Sequence, residues 1–146
     1  MYDLIYDKII NINDEHIPLI KEIHDKPEVS KYINISDNYF NYVTTTEKVY
    51  FYKVFNKDVI IGTIHLEIYS EKLYMDILVF PEFQRLGYGT KILSDIKRKV
   101  LGLEYKAIEV AVDENNIASL RLFENAGFVT ISKEDELINL AYKIEG

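Results

Sequence analysis

The chain has 146 residues with a formal net charge of −7; 48% are apolar and none is cysteine. That length suits a single domain, residues 1–146, and that apolar share excludes a disordered protein. The acidic balance disfavours nucleic acid, no run approaches the ~20 apolar residues of a membrane span, and without cysteine there is neither a disulfide nor a thiolate zinc site.

Residues 2–10 alternate enough to predict a first strand. A helix follows, capped by Asn13 or Asp14, with Ile17, Ile20 and Ile23-His24 at helical spacing and Pro27 at its end. Residues 28–33 predict a second short helix. Residues 34–48 combine turn formers with Tyr39, Phe40 and Tyr42 and read as a loop. Residues 49–55 and 59–69 predict two strands joined through Asn56-Lys57-Asp58. A third strand at 73–80 puts Leu73, Met75, Ile77 and Val79 on one face and Tyr74, Asp76, Leu78 and Phe80 on the other.

The next helix carries Ile92, Leu93, Ile96 and Val100 on one stripe and stops at Gly102. Residues 107–112 form a β-branched strand. Asn115 or Asn116 caps a further helix with Ile117, Leu120 and Phe123 or Glu124 inward, ended by Gly127. Strands at 128–132 and 137–144 close the chain around Lys133-Glu134-Asp135-Glu136. Strands followed by β-α-β-α-β-β indicate an α/β protein, a mixed sheet with helices on its faces.

The most informative segment is Val79-Phe80-Pro81-Glu82-Phe83-Gln84-Arg85-Leu86-Gly87-Tyr88-Gly89-Thr90. It leads from a strand through a glycine-bearing turn into a helix. A helix start offers unpaired N–H groups and partial positive charge, and glycine lets an anion approach the backbone. A phosphorylated ligand is therefore expected here. The dinucleotide fingerprint is excluded because its third glycine position holds Ile92. The P-loop is excluded because Gly89 is followed by Thr90-Lys91.

Downstream lies Asn116-Ile117-Ala118-Ser119-Leu120-Arg121-Leu122-Phe123-Glu124-Asn125-Ala126-Gly127-Phe128. Together the two segments resemble the GCN5-related N-acetyltransferase (GNAT) family. Gln84, Gly87 and Gly89 match its Gln/Arg-x-x-Gly-x-Gly/Ala loop. Asn116, Ser119, Phe123, Gly127 and Phe128 match its later helix. The likeness covers roughly residues 50–132 and is looser before them. It implies the GNAT fold, in which the strands at 73–80 and 107–112 splay apart and the pantetheine arm of acetyl-CoA pairs with exposed backbone. It further implies cofactor contacts from Leu78, Val79, Gln84, Arg85, Leu86, Gly87, Tyr88, Gly89, Thr90, Asn116, Ser119 and Phe123. The stretch 25–32 looks like the N-terminal helices of relatives that acetylate ribosomal-protein N-termini. Relatives often dimerise through terminal strands, so a homodimer is one expectation.

The chemistry implied is direct attack of a primary amine on the acetyl thioester. No cysteine is present and no serine sits in a nucleophile elbow, so a covalent enzyme intermediate is not expected. Proximity and oxyanion stabilisation by an N–H near Val79 would carry most of the gain. Relatives often protonate the leaving thiolate with a tyrosine, but the matching residue is Phe123. Ser119, one turn earlier, is the candidate donor, or a helix-surface serine. Asn116 can serve pantetheine amides, cap the helix, or both. Asp76, within a mostly apolar strand, is the candidate base, or an exposed strand residue, with Glu67 on the neighbouring strand. His24 and His65 read as structural. Tyr32, Tyr39 and Tyr42 line an amine pocket or pack a loop.

Partners are thus a small-molecule or peptide amine, with no nucleic acid, membrane or metal. His16, His24 and His65 lack metal-site spacing. Lys97-Arg98-Lys99 reads as a solvated helix cap. The first residues lack a secretion signal, so a cytoplasmic location is the default and Asn34-Ile35-Ser36 carries no glycan meaning. The alternative function is a coenzyme-A-binding sensor without turnover, which Phe123 keeps open.

Overall fold

A computed structural model describes residues 3–144. The elements in chain order are β1 (Leu4–Lys8), α1 (Ile17–His24), α2 (Pro27–Ser30), α3 (Tyr39–Thr45), β2 (Val49–Asn56), β3 (Val59–Tyr69), β4 (Lys72–Val79), a 3-10 turn (Pro81–Phe83), α4 (Tyr88–Lys97), β5 (Ala107–Asp113), α5 (Ile117–Asn125), β6 (Val129–Glu134) and β7 (Leu137–Lys143). The strands form one mixed sheet in the order β1-β2-β3-β4-β5-β7-β6. The expected α/β class is therefore found. Residue 2, placed in the first predicted strand, lies outside the described residues. Chain contacts divide the fold into two compact units: the residues up to His65 with Ile77–Gln84, and Leu66–Asp76 with the chain from Arg85 onward.

In the first unit, β1 pairs antiparallel with β2 from Leu4↔Asn56 to Lys8↔Tyr52. The helical spacing of Ile17, Ile20 and Ile23 works as predicted, since all three are buried. They share a core with Phe40 and Val43 of α3, Phe51 of β2, Leu78 and Phe80. The Tyr39, Phe40 and Phe51 rings meet edge to face at 5.2–5.6 Å, an arrangement that adds to the ~1.5–3 kcal/mol each large buried side chain contributes.

Several local readings change. Residues 39–45 are helix, not loop. Their aromatic and β-branched residues have modest helix propensity, but Phe40 and Val43, three apart, are both buried. Core packing overrides propensity here, and the Thr44 and Thr45 hydroxyls bond back to the Phe40 and Asn41 carbonyls, each at 2.7 Å. Helix α1 is capped by His16 rather than Asn13 or Asp14 and ends at His24. Pro27 does not end it but opens α2 at a first-turn position, where the missing N–H costs nothing. Asp14 instead accepts the His16 N–H at 2.9 Å and pairs with the buried Lys53 ammonium at 2.9 Å, which Asp7 also meets at 3.3 Å. Burial works against the Lys53 charge, yet the two carboxylates hold its pKa above the ordinary lysine value.

In the second unit, α4 buries Ile92, Leu93 and Ile96. Val100 falls outside the helix and is 51% exposed. The helix stops earlier than Gly102 because Lys99 turns left-handed (φ 58). Its N–H then bonds the Ile96 carbonyl at 3.0 Å while that of Val100 bonds Asp95 at 3.1 Å, the paired bonds of a Schellman motif. Lys97 is not a solvated cap. Its ammonium donates to the Ala126 carbonyl and stands 4.2 Å from the Tyr142 ring centroid. Burial lowers its pKa. Asp95, buried, takes Lys91 at 2.9 Å and Arg98 at 2.5 Å. In α5 Phe123 is buried while Ile117 is 51% exposed, so the predicted stripe is narrower than expected. Strand β6 runs to Glu134, two residues past its predicted end, and is exposed along its whole length.

His24 is sealed at the end of α1, and neither ring nitrogen has a hydrogen-bond partner. Burial lowers its pKa, with Asp25 pulling the other way. The unfolded chain therefore takes up a proton that the folded protein refuses, and stability falls as pH drops below the unfolded imidazole value of ~6.5. A His24→Leu variant is expected to show a flatter stability profile between about pH 6.5 and 5. Urea titrations across that range, with curves parallel above pH 7 and diverging below, are the check.

Candidate active site

The turn after β4 is held by its own side chain. Phe80 N–H bonds the Ile61 carbonyl at 2.9 Å, and Phe83 N–H bonds Phe80 at 2.8 Å. Gln84 folds back so that its Nε2 donates to the Val79 carbonyl at 2.9 Å. This part of Gln84 is a brace for the turn. Arg85 then adopts φ +65 and Gly87 φ +89, and Gly87 becomes the N-cap of α4. A left-handed N-cap of this kind is what glycine tolerates without a Cβ clash.

Among the described residues, the N–H groups of Arg85, Leu86, Gly87, Gly89 and Thr90 meet no acceptor. No side chain caps α4 and no acidic residue stands in its first turn. Five donors and the positive end of a ten-residue helix thus gather on one short exposed turn. Gly89 serves a different purpose from Gly87. A Cβ built there would lie 3.0 Å from Leu122 Cδ2, so the missing side chain lets α5 approach the start of α4.

Helix α5 contributes the second group of residues. Asn116 is its N-cap, and its Oδ1 accepts the Ser119 N–H at 3.3 Å. The capping reading of Asn116 is therefore realised. Ser119 is half-buried, and its hydroxyl makes no hydrogen bond among the described residues. Phe123 is buried against Phe128, ring centroids 5.2 Å apart. Its side chain packs the core and offers neither a proton nor much surface to a cofactor. Strand β5 pairs along its full length with β7, from Ala107↔Lys143 to Asp113↔Leu137. Its parallel ladder with β4 has three pairs, Lys72↔Ala107 to Tyr74↔Glu109, and Met75 and Asp76 do not continue it. Beyond Glu109, β5 presents an edge on that side, as expected for splayed strands.

The remaining candidates scatter. Leu78 is buried in the first unit's core; Val79 and Tyr88 are half-buried. Asp76 shares its strand face with Leu78 and Phe80, but unlike them it is exposed. The exposed-strand reading of Asp76 is the one its surroundings match. Glu67 is half-buried. Tyr39 bonds through its hydroxyl to Nδ1 of His65, a pairing across 26 residues that no local sequence signal announces. Tyr42 is 41% exposed, and Tyr32 is half-buried. Among the described residues, no group of three or more His, Asp or Glu is placed to hold a metal ion, and no helix is long and apolar enough to cross a membrane.

Comparison with known proteins gives concordant answers. No curated protein sequence matches. Solved structures match over nearly the whole chain at low identity. The Campylobacter jejuni N-acetyltransferase PseH in complex with acetyl coenzyme A has a TM-score of 0.78 at 15% identity, covering 98% of this chain and 100% of its own. Spermidine N-acetyltransferase from Vibrio cholerae, in complex with CoA and spermine, has 0.78 at 14%, covering 97% and 95%. The ribosomal-protein-S18-alanine N-acetyltransferase from Escherichia coli has 0.73 at 16%, covering 100% and 96%. These likenesses show the fold. The family model described as Acetyltransferase (GNAT) family matches residues 13–128, most of the sequence. With the loop and its helix in place, the chain belongs to the acetyltransferase (GNAT) family.

Proposed function

We propose that the protein transfers the acetyl group of acetyl-CoA to a primary amine by direct attack within a ternary complex. The observation that carries this reading is the set of unanswered amides at Arg85, Leu86, Gly87, Gly89 and Thr90. A diphosphate is the group such a helix start fits best. Acetyl-CoA, when bound, supplies an acyl thioester that needs no further activation. The open edge of β5 suits the amides of a pantetheine arm. Ser119, in the first turn of α5, is suited to give a proton to the leaving thiolate. Asp76, exposed on β4, is suited to draw in a cationic amine.

The acceptor is a primary amine whose class the fold does not choose. The Vibrio cholerae neighbour is named for a polyamine and the Escherichia coli one for a protein alanine, and both share this architecture. The net charge of −7 favours a cationic acceptor over a neutral one. Nothing in the described structure favours a sensor without turnover over an enzyme. Phe123 speaks only for the loss of one proton donor.

Two variants test this function. Thr90 is exposed at the third position of α4, where glutamate is compatible with the helix dipole. Thr90→Glu is therefore expected to leave the ligand-free melting temperature unchanged or slightly higher. It should abolish the rise caused by acetyl-CoA, which at a few hundred times the dissociation constant amounts to about 3 kcal/mol in the parent protein. A full rise in the variant would exclude this turn as the diphosphate site. Ser119→Ala is expected to slow coenzyme A release about tenfold, with the cofactor's dissociation constant unchanged. An unaltered rate removes Ser119 from the chemistry.

A further inference from the structure

We infer that Lys97 is a positioning residue whose ammonium grips the far end of α5 and so sets where that helix holds Ser119 against the start of α4. This rests on the acetyl transfer proposed above and on the part of Ser119 in it. All the residues concerned belong to the second unit.

Helices α4 and α5 meet at two places. Near the start of α4, a Cβ on Gly89 would lie 3.0 Å from Leu122 Cδ2, so Leu122 rests on bare backbone. About two turns further along α4, Lys97 donates to the Ala126 carbonyl. Both contacts advance in the same chain direction, so the two helices run in one sense. The step between them is about 12 Å along α4 and about 6 Å along α5, at the rise of an α-helix. Glycine at the near contact and a long lysine at the far one fit two helices that diverge from a common end. Ser119, Leu122 and Ala126 are spaced by three and four residues and share one face of α5. Ser119 stands one turn ahead of Leu122, toward the start of α4. Holding Leu122 and Ala126 therefore fixes Ser119.

Other cations along α4 stay with their own helix: Lys91 and Arg98 both bond Asp95, at 2.9 and 2.5 Å. Lys97 reaches out to two other elements. Ala126 ends α5, where the last carbonyls lack partners within the helix and a cation is favoured. The second element is β7, whose Tyr142 ring centroid lies 4.2 Å from the ammonium. That ring is itself fixed. Phe128 packs on it at 5.4 Å, and Gly127, at φ +92, leaves out a Cβ that would stand 3.3 Å from it. Burial works against the Lys97 charge, as its lowered pKa shows, so desolvation offsets part of the attraction. What the contact retains is direction. A donor on a carbonyl and a cation over a ring face both weaken when the helix moves.

The experiment is a double-mutant cycle on coenzyme A release from acetyl-CoA, with spermidine, an aminoglycoside and a peptide bearing a free N-terminus as acceptors. Lys97→Met keeps an apolar stem beside Tyr142 and loses the donor. Alone, it is expected to lower kcat about five- to tenfold, with little change in KM for acetyl-CoA. In the Ser119→Ala background it is expected to cost less than about twofold, because a residue acting through Ser119 has nothing left to place. In the cofactor-free protein, Lys97→Met should shift the amide NMR signals of residues 117–121. Equal losses in both backgrounds would overturn the inference and mark the lysine as structural. A parent-like rate in either single variant, or amide signals that stay in place, would overturn it too. No release by the parent with any of the three amines would instead overturn the acetyl transfer beneath it, and the amide signals alone would then decide the placement of α5.

Discussion

Every functional statement about this protein depends on a cluster of hydrogen-bond donors left without acceptors. A buried N–H with no partner costs about 1–3 kcal/mol, so proteins rarely tolerate several together. Here five lie on one turn, kept in water rather than buried. The turn can afford them because its shape is enforced from behind. The Gln84 side chain is tied to Val79, and Gly87 reverses the chain into α4. The result is an exposed turn whose donors are held in place by the chain behind them.

The loop and α5 were legible because their signals are local. A glycine before a helix, an asparagine at its start and a serine three residues later each act through neighbours in sequence. The strands were legible for the same reason, since alternation is a two-residue property. What escaped depends on distant partners. Residues 39–45 read as a loop because nothing nearby reveals that Phe40 and Val43 meet Phe51 and the isoleucines of α1. Lys97 read as a solvated cap because its carbonyl and ring partners, on Ala126 and Tyr142, come from another part of the chain.

The two glycines of the motif illustrate the difference within a single turn. Gly87 was expected to let an anion approach the backbone, and its positive φ adds a conformational reason for glycine there. Gly89 looks identical in sequence, but its backbone is helical and its service is steric, toward Leu122. Asp76 is the converse case. It was read as a candidate base or as an exposed strand residue, and it is exposed while Leu78, two residues on, is buried. Sequence neighbours describe a strand's composition but not how far each face is covered.

Arg85 carries a consequence of its own. An L-residue with a side chain held at φ +65 sacrifices about 1–2 kcal/mol relative to glycine. A chain selected only for robustness would place glycine there and gain melting temperature. This one keeps a long, permanently charged side chain in the turn proposed to hold the diphosphate. On the proposed reading the loop trades ruggedness for an exposed cation, and a stabilised version with glycine there would meet an anionic ligand more slowly.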